Sequence, residues 1–268
     1  METTTLRETA PAAHPAIQLP TTIDEVIARL AGMISECAAT NDRAGYFAVL
    51  YHRVTCRIRE CIAEKQFEDG IRMEQLDVIF ANRYIQAYDL WRAGKPTSAS
   101  WAIAFETTKV NVPLVLQHLL LGMNAHINLD LGIAASEVMH DQRMIGVQKD
   151  FYTINRILGE LIEVVQKCLT SVNPLLNLLQ LQRYNTDELL VSFSINTARD
   201  GAWMFANEIH GKTGTAYDQC FSARDKSISA LGNCLAKPKS GFLQLTIQIA
   251  RMFERKKIKD VIELLGAQ

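Results

Sequence analysis

Between Lys109 and Asp130 the chain carries no Lys, Arg, Asp or Glu. Helical periodicity surrounds this stretch, so it predicts a helix too apolar to lie on a surface and therefore enclosed by other helices. It does not predict a membrane span. Asn111, Pro113, Gln117, His118, Asn124, His126 and Asn128 interrupt the run, and a span needs about 18 or more apolar residues in succession. The fold class that follows is all-α, a globular multi-helix bundle around a buried central helix.

The rest of the pattern agrees, and no convincing run of alternating β-branched residues competes with it. A first helix starts at the Thr22/Asp24 caps and runs to about Cys37. A second covers about Arg43 to Lys65, with Phe47, Leu50, Tyr51, Val54, Ile58, Cys61 and Ile62 within an arc of about 120°. Helices follow over about Ile71–Trp91, Ser98–Lys109 and Val112–Val138, the last opened by Pro113 in its first turn, where a missing N–H is harmless. Further helices are expected over about Lys149–Thr170, Pro174–Gln182, Thr186–His210, Ala216–Leu235, Gly241–Glu254 and Ile258–Leu265. Residues 1–21, rich in Thr and Pro and lacking an apolar core, read as a mobile tail rather than a secretory signal. Residues 22–268 read as a single all-helical domain.

Composition excludes several classes. Among 268 residues, 28 basic and 29 acidic side chains nearly cancel, so no electrostatic funnel for nucleic acid is expected. With 14 Gly and 7 Pro, collagen-like and turn-rich all-β chains are disfavoured. The cysteines form no C-x-x-C pair, which argues for reduced structural thiols and a cytoplasmic location.

Three helices carry unusual polar residues. His126 and Asp130 are four apart, about 6 Å at Cβ on one helical face. That spacing lets an imidazole and a carboxylate hold one metal ion, or lets the carboxylate orient the ring for proton transfer. The competing reading is an interior His satisfied by a structural hydrogen bond. His118 lies about 12 Å further along the axis, too far to share the same ion. Arg83 falls in the middle of the apolar stripe of Ile71–Trp91, where it must snorkel or pair with a carboxylate; Asn82 and Tyr84 flank it. On Thr186–His210, Asn196, Arg199, Asp200, Trp203, Asn207 and His210 share an arc of about 100° without Lys or Glu, which suits a pocket wall as well as a wet face. Asp150 reads as an N-cap, or as a second carboxylate beside Asp130.

Other signals fail. Gly211-Lys212-Thr213 imitates the end of a phosphate-binding loop, but Ala206 stands where a Gly is required and a helix precedes it. The basic segment from Arg251 to Lys259 is broken by Glu254 and reads as a solvated helix end rather than a membrane or nucleic-acid patch.

The segment Asn124-Ala-His-Ile-Asn-Leu-Asp130, with Asn82-Arg83-Tyr84 and Arg199-Asp200-Gly-Ala-Trp203, resembles an uncharacterised helical family of bacteria and fungi, a domain of unknown function. The resemblance covers most of the chain after about residue 22 and implies a helical domain without implying an activity. The residues themselves support three readings. In the first, an enzyme uses His126, Asp130, Arg83 and Asp200 on a small, partly apolar substrate, with Asn82, Tyr84, Asn196, Arg199, Trp203 and Asn207 lining the pocket; a divalent metal ion held by His126, Asp130, Asp150 and Asp200 is an option within this reading. In the second, the same pocket binds a small molecule or lipid without turnover. In the third, His126–Asp130 and Arg83–Asp200 are buried pairs that select one packing.

Overall fold

The computed structural model describes residues 18–138, 150, 153–154, 157, 167–173 and 195–267. The chain runs through α1 (Ile23–Thr40), α2 (Ala44–Ala63), α3 (Gly70–Arg92), α4 (Ala99–Thr108) and α5 (Val115–Ala125). A π-helical turn, His126–Asp130, leads into α6 (Leu131–Val138). Then come α7 (Ile195–Ile209), α8 (Gly214–Ala236), α9 (Gly241–Phe253) and α10 (Ile258–Gly266). Among the described residues there is no strand, and the helices pack as one multi-helix bundle. The helix expected over 174–182, the first part of that over 186–210 and the side chain of Asn196 lie outside the described residues.

Local signals start several of these helices. Thr22 accepts a hydrogen bond from the Glu25 N–H (3.2 Å) at the head of α1, Asp69 does the same for Arg72 on α3 (3.0 Å), and Ser98 for Trp101 on α4 (3.4 Å). Each satisfies a donor that a helix N-terminus leaves unpaired. Asn41 closes α1 in the left-handed region at φ 52°, a conformation its short amide side chain tolerates.

Three further caps come from far along the chain. Asp150 accepts from the backbone N–H groups of Glu68 (2.7 Å) and Asp69 (3.3 Å), and from Arg72 Nη2 (3.0 Å), at the head of α3. Asp225 on α8 accepts from Ala99 (2.6 Å) and Ser100 (3.0 Å) at the head of α4. Glu254, just past α9, accepts from Val115 (3.1 and 3.3 Å) at the head of α5. All three carboxylates are buried, and each lies where a helix dipole favours negative charge.

The uncharged stretch is enclosed as its composition requires. Between residues 114 and 136, only Leu116 and Met123 have more than minimal exposure. It departs from the expected single helix in two ways. The helix opens at Val115 rather than around Pro113, because the Gln117 side chain takes the Leu114 N–H (2.9 Å) and Glu254 takes that of Val115. And the helix widens by a turn at His126–Asp130, where the Leu131 N–H reaches back to the His126 carbonyl. Such π turns are rare interruptions of α-helices and occur frequently at functional sites.

Candidate functional site around His126

The π turn widens the helix where His126 and Asp130 sit one above the other. His126 Nδ1 lies 3.1 Å from Asp130 Oδ2, and Trp101 Nε1 on α4 donates to the same oxygen at 2.8 Å. The other carboxylate oxygen faces Arg83 Nε on α3 at 3.5 Å. Arg83 therefore finds the carboxylate partner that its apolar face demands, and that partner is Asp130, not Asp200. His126 and Asp130 are both buried, while 29% of the Arg83 side chain remains exposed, so the guanidinium links the buried pair to the surface.

Aromatic rings enclose the imidazole. Phe80 stacks on it, and Tyr51 meets it edge-on with ring centroids 4.4 Å apart. Phe47, Tyr84 and Trp101 complete the enclosure at 5.8, 6.0 and 5.9 Å. Gly122 is part of it: a Cβ there would stand 2.4 Å from the Phe47 ring, so only glycine lets Phe47 approach α5.

This environment sets the protonation state. Burial pushes the His126 pKa below its ordinary value, and the Asp130 carboxylate only partly opposes that shift. The ring is neutral near pH 7. A proton on Nδ1 directed at Asp130 leaves Nε2 as a lone-pair acceptor, and this atom has no partner among the described residues. Other buried atoms share that condition, among them the hydroxyls of Tyr51 and Tyr84, Oδ2 of Asp77 on α3 and both ring nitrogens of His118. The Thr55 hydroxyl donates to the Tyr51 carbonyl (3.1 Å), and burial holds the Tyr51 hydroxyl well above its ordinary pKa against a weaker opposing interaction with Thr55. Burial, then the nearby Glu74 charge, raises the Asp77 pKa to about 7.

The other expected site residues are distributed differently. Asn82 donates to the Pro20 carbonyl (2.8 Å). On α7, Arg199 is buried and its pKa is pushed down to about 9 by burial, with Asp200 opposing; Trp203 is half-buried. Asp200, Asn207 and His210 are exposed, so this polar arc divides between solvent and interior instead of forming one wall. Asp150 holds the head of α3, as above. Among the described residues no three His, Cys, Asp or Glu side chains gather as a metal-holding group. His126 and Asp130 thus lack the company of Asp150 and Asp200 that the four-ligand expectation required: one carboxylate is used for capping and the other faces water.

Asp77, Tyr51, Phe80 and Trp101 were not singled out in sequence. Tyr51 and Phe80 are hidden in ordinary core stripes. Asp77 had a signal, since it precedes Phe80 by three and Tyr84 by seven on the buried face of α3. Trp101 had only its need for an acceptor once buried.

No helix among the described residues is long and apolar enough to cross a membrane. No curated protein and no solved structure matches the chain. Over residues 23–238 it matches the model of a family of unknown function, DUF5995, and on that extent the chain belongs to this family.

Proposed function

We propose that the protein is a non-catalytic small-molecule-binding helical protein whose ligand is held against the edge of His126 within the aromatic enclosure. One observation carries the reading: Tyr51 Oη, Asp77 Oδ2, Tyr84 Oη and His126 Nε2 are buried without partners among the described residues. Buried polar groups are nearly always hydrogen-bonded, and an orphan costs about 1–3 kcal/mol. A ligand with a few polar atoms on a compact apolar body would satisfy them, and the rings supply the apolar contact such sites are built from. Phe80 covers one face of the imidazole, and the atom offered for recognition is Nε2, which has no partner among the described residues. Arg83, partly exposed and held by Asp130, suits an anionic end of the ligand.

Catalysis is the second reading, and a specific geometry favours it: a neutral imidazole oriented by a carboxylate through Nδ1, with Nε2 free, is the arrangement of a general base. A divalent ion would find His126 and Asp130 but would have to complete its coordination from water or substrate.

Native mass spectrometry of the purified protein tests the main reading. A co-purified organic molecule is expected, lost in His126→Ala and weakened in Tyr51→Phe. No adduct, no thermal stabilisation by any member of a metabolite library, and ordered water on all four polar atoms in a crystal structure would instead make the network a purely structural one.

A further inference from the structure

A cavity lies away from His126 and shares no lining residue with the aromatic enclosure. Its volume is about 270 Å³, and it is framed by Asn41, Arg43 and Tyr46 at the start of α2, Pro113 and Val115 at the start of α5, and the turn from Arg251 to Ile258 between α9 and α10. Four basic side chains line it: Arg43, Arg251, Lys256 and Lys257. The one acid in the lining, Glu254, is already engaged by the Val115 N–H and by Arg251 Nη1 at 3.4 Å. Arg43 holds the Thr108 carbonyl (3.1 Å) and the Asn111 side chain, neither of them charged. Lys256 and Lys257 are exposed and form no ion pair among the described residues.

Two further features suit an anion rather than a cation. Tyr46 is only 4% exposed and lines the cavity; no described residue is hydrogen-bonded to its hydroxyl, which is not among the fully buried polar atoms left without a partner. Burial pushes its pKa up to about 12, with Arg43 opposing, so it stays a donor. α10 begins at Ile258, itself in the lining, and its N-cap Lys257 provides no side-chain acceptor. Its first-turn N–H groups lack the side-chain cap that Asp69 or Ser98 supplies elsewhere.

We infer that this cavity binds a phosphate group, with Arg43, Lys256 and Lys257 supplying charge and the Tyr46 hydroxyl and the α10 N-terminus supplying directed donors. Three cations without a carboxylate partner match a phosphate dianion better than a single carboxylate. Tetrahedral oxygens accept from convergent donors, as at other helix N-termini. The phosphate could belong to a free metabolite or to a lipid headgroup. The lipid source gains weight from α9, where Phe242, Leu245, Ile249, Met252 and Phe253 are all exposed on the helix that leads into the basic turn, a combination typical of interfacial helices.

The full chain is titrated with inorganic pyrophosphate by calorimetry and, separately, sedimented with phosphatidylcholine vesicles with and without phosphatidate. Saturable binding is expected in at least one arm, and the arm that binds identifies the source. The double charge reversal Lys256→Glu with Lys257→Glu, at exposed positions, should weaken binding by about tenfold or more. Tyr46→Phe should weaken it by about threefold to tenfold, and Lys226→Glu on α8 should leave it unchanged. Absence of binding in both arms overturns the inference. So does vesicle binding that is indifferent to phosphatidate, or binding unaffected by both the double reversal and Tyr46→Phe when circular dichroism shows them folded.

Discussion

Phe80 lies flat on the imidazole of His126, with ring centroids 3.6 Å apart and planes within 5° of each other. The stacking fixes the ring about an axis that Asp130 fixes from below, so the imidazole has one orientation rather than several. Asp130 is the anchor of that arrangement, since it takes hydrogen bonds from both His126 and Trp101 and faces Arg83.

Asp130→Asn should therefore destabilise the fold by about 2–4 kcal/mol, because it leaves Arg83 without its counter-charge and aims an amide N–H at existing donors. The urea unfolding midpoint should fall with an unchanged slope. Ring ¹⁵N shifts of His126 should show loss of the single tautomer.

Asp77 gives the opposite result. Its folded pKa of about 7 lies above the ordinary 3.8, so between those values the unfolded chain releases a proton that the native protein keeps. The stabilising contribution is present below the ordinary value and is lost as pH rises towards 7. Asp77→Asn removes the buried charge and should raise stability on the order of 2–4 kcal/mol above about pH 7 while changing little near pH 4. Denaturant midpoints at the two pH values check it.

The buried histidines act in the other direction. Burial lowers the His118 pKa to about 3, and that of His126 also falls. Both contribute stability that is intact above about pH 6.5, the unfolded value, and drains away as acid protonates the unfolded chain first. His118→Leu, at a ring whose two nitrogens both lack partners among the described residues, should flatten the acid limb of a melting-temperature profile between pH 6.5 and about 3.

Two glycines distinguish packing from helix propensity. Gly122→Ala would push a methyl into the Phe47 ring and should cost about 1–3 kcal/mol. Gly32→Ala, on the exposed side of α1 with nothing within 4 Å, should stabilise by about 0.5–1 kcal/mol. Thermal melts of the two variants should move in opposite directions.

Much of the helical layout was legible because it rests on short-range signals: Thr22 before α1, Ser98 before α4, and the 3.6-residue stripe of α2. The pairing of His126 with Asp130 was legible for the same reason, four residues being one helical turn. Arg83 announced a carboxylate by standing on an apolar face, but spacing along α3 could not say which one, and Asp130 rather than Asp200 answers. The π turn, the ring enclosure and the orphaned Asp77 depend on how α2, α3, α4 and α5 approach each other, and no local window contains that information. The start of α5 misleads for a related reason: Glu254, far away in the chain, decides it.

That remote control reaches three helices. The carboxylates of Asp150, Asp225 and Glu254 seal N-termini 82, 126 and 139 residues upstream. The first half of the polypeptide consequently depends on the second for caps on three of its helices. As it leaves the ribosome, α4 and α5 have only the local caps from Ser98 and Gln117 until the last third of the chain supplies Asp225 and Glu254. A product truncated before Asp225 should keep its helical sequence while α4 and α5 fray at their origins, and closing such long loops makes late, cooperative consolidation the expected folding route.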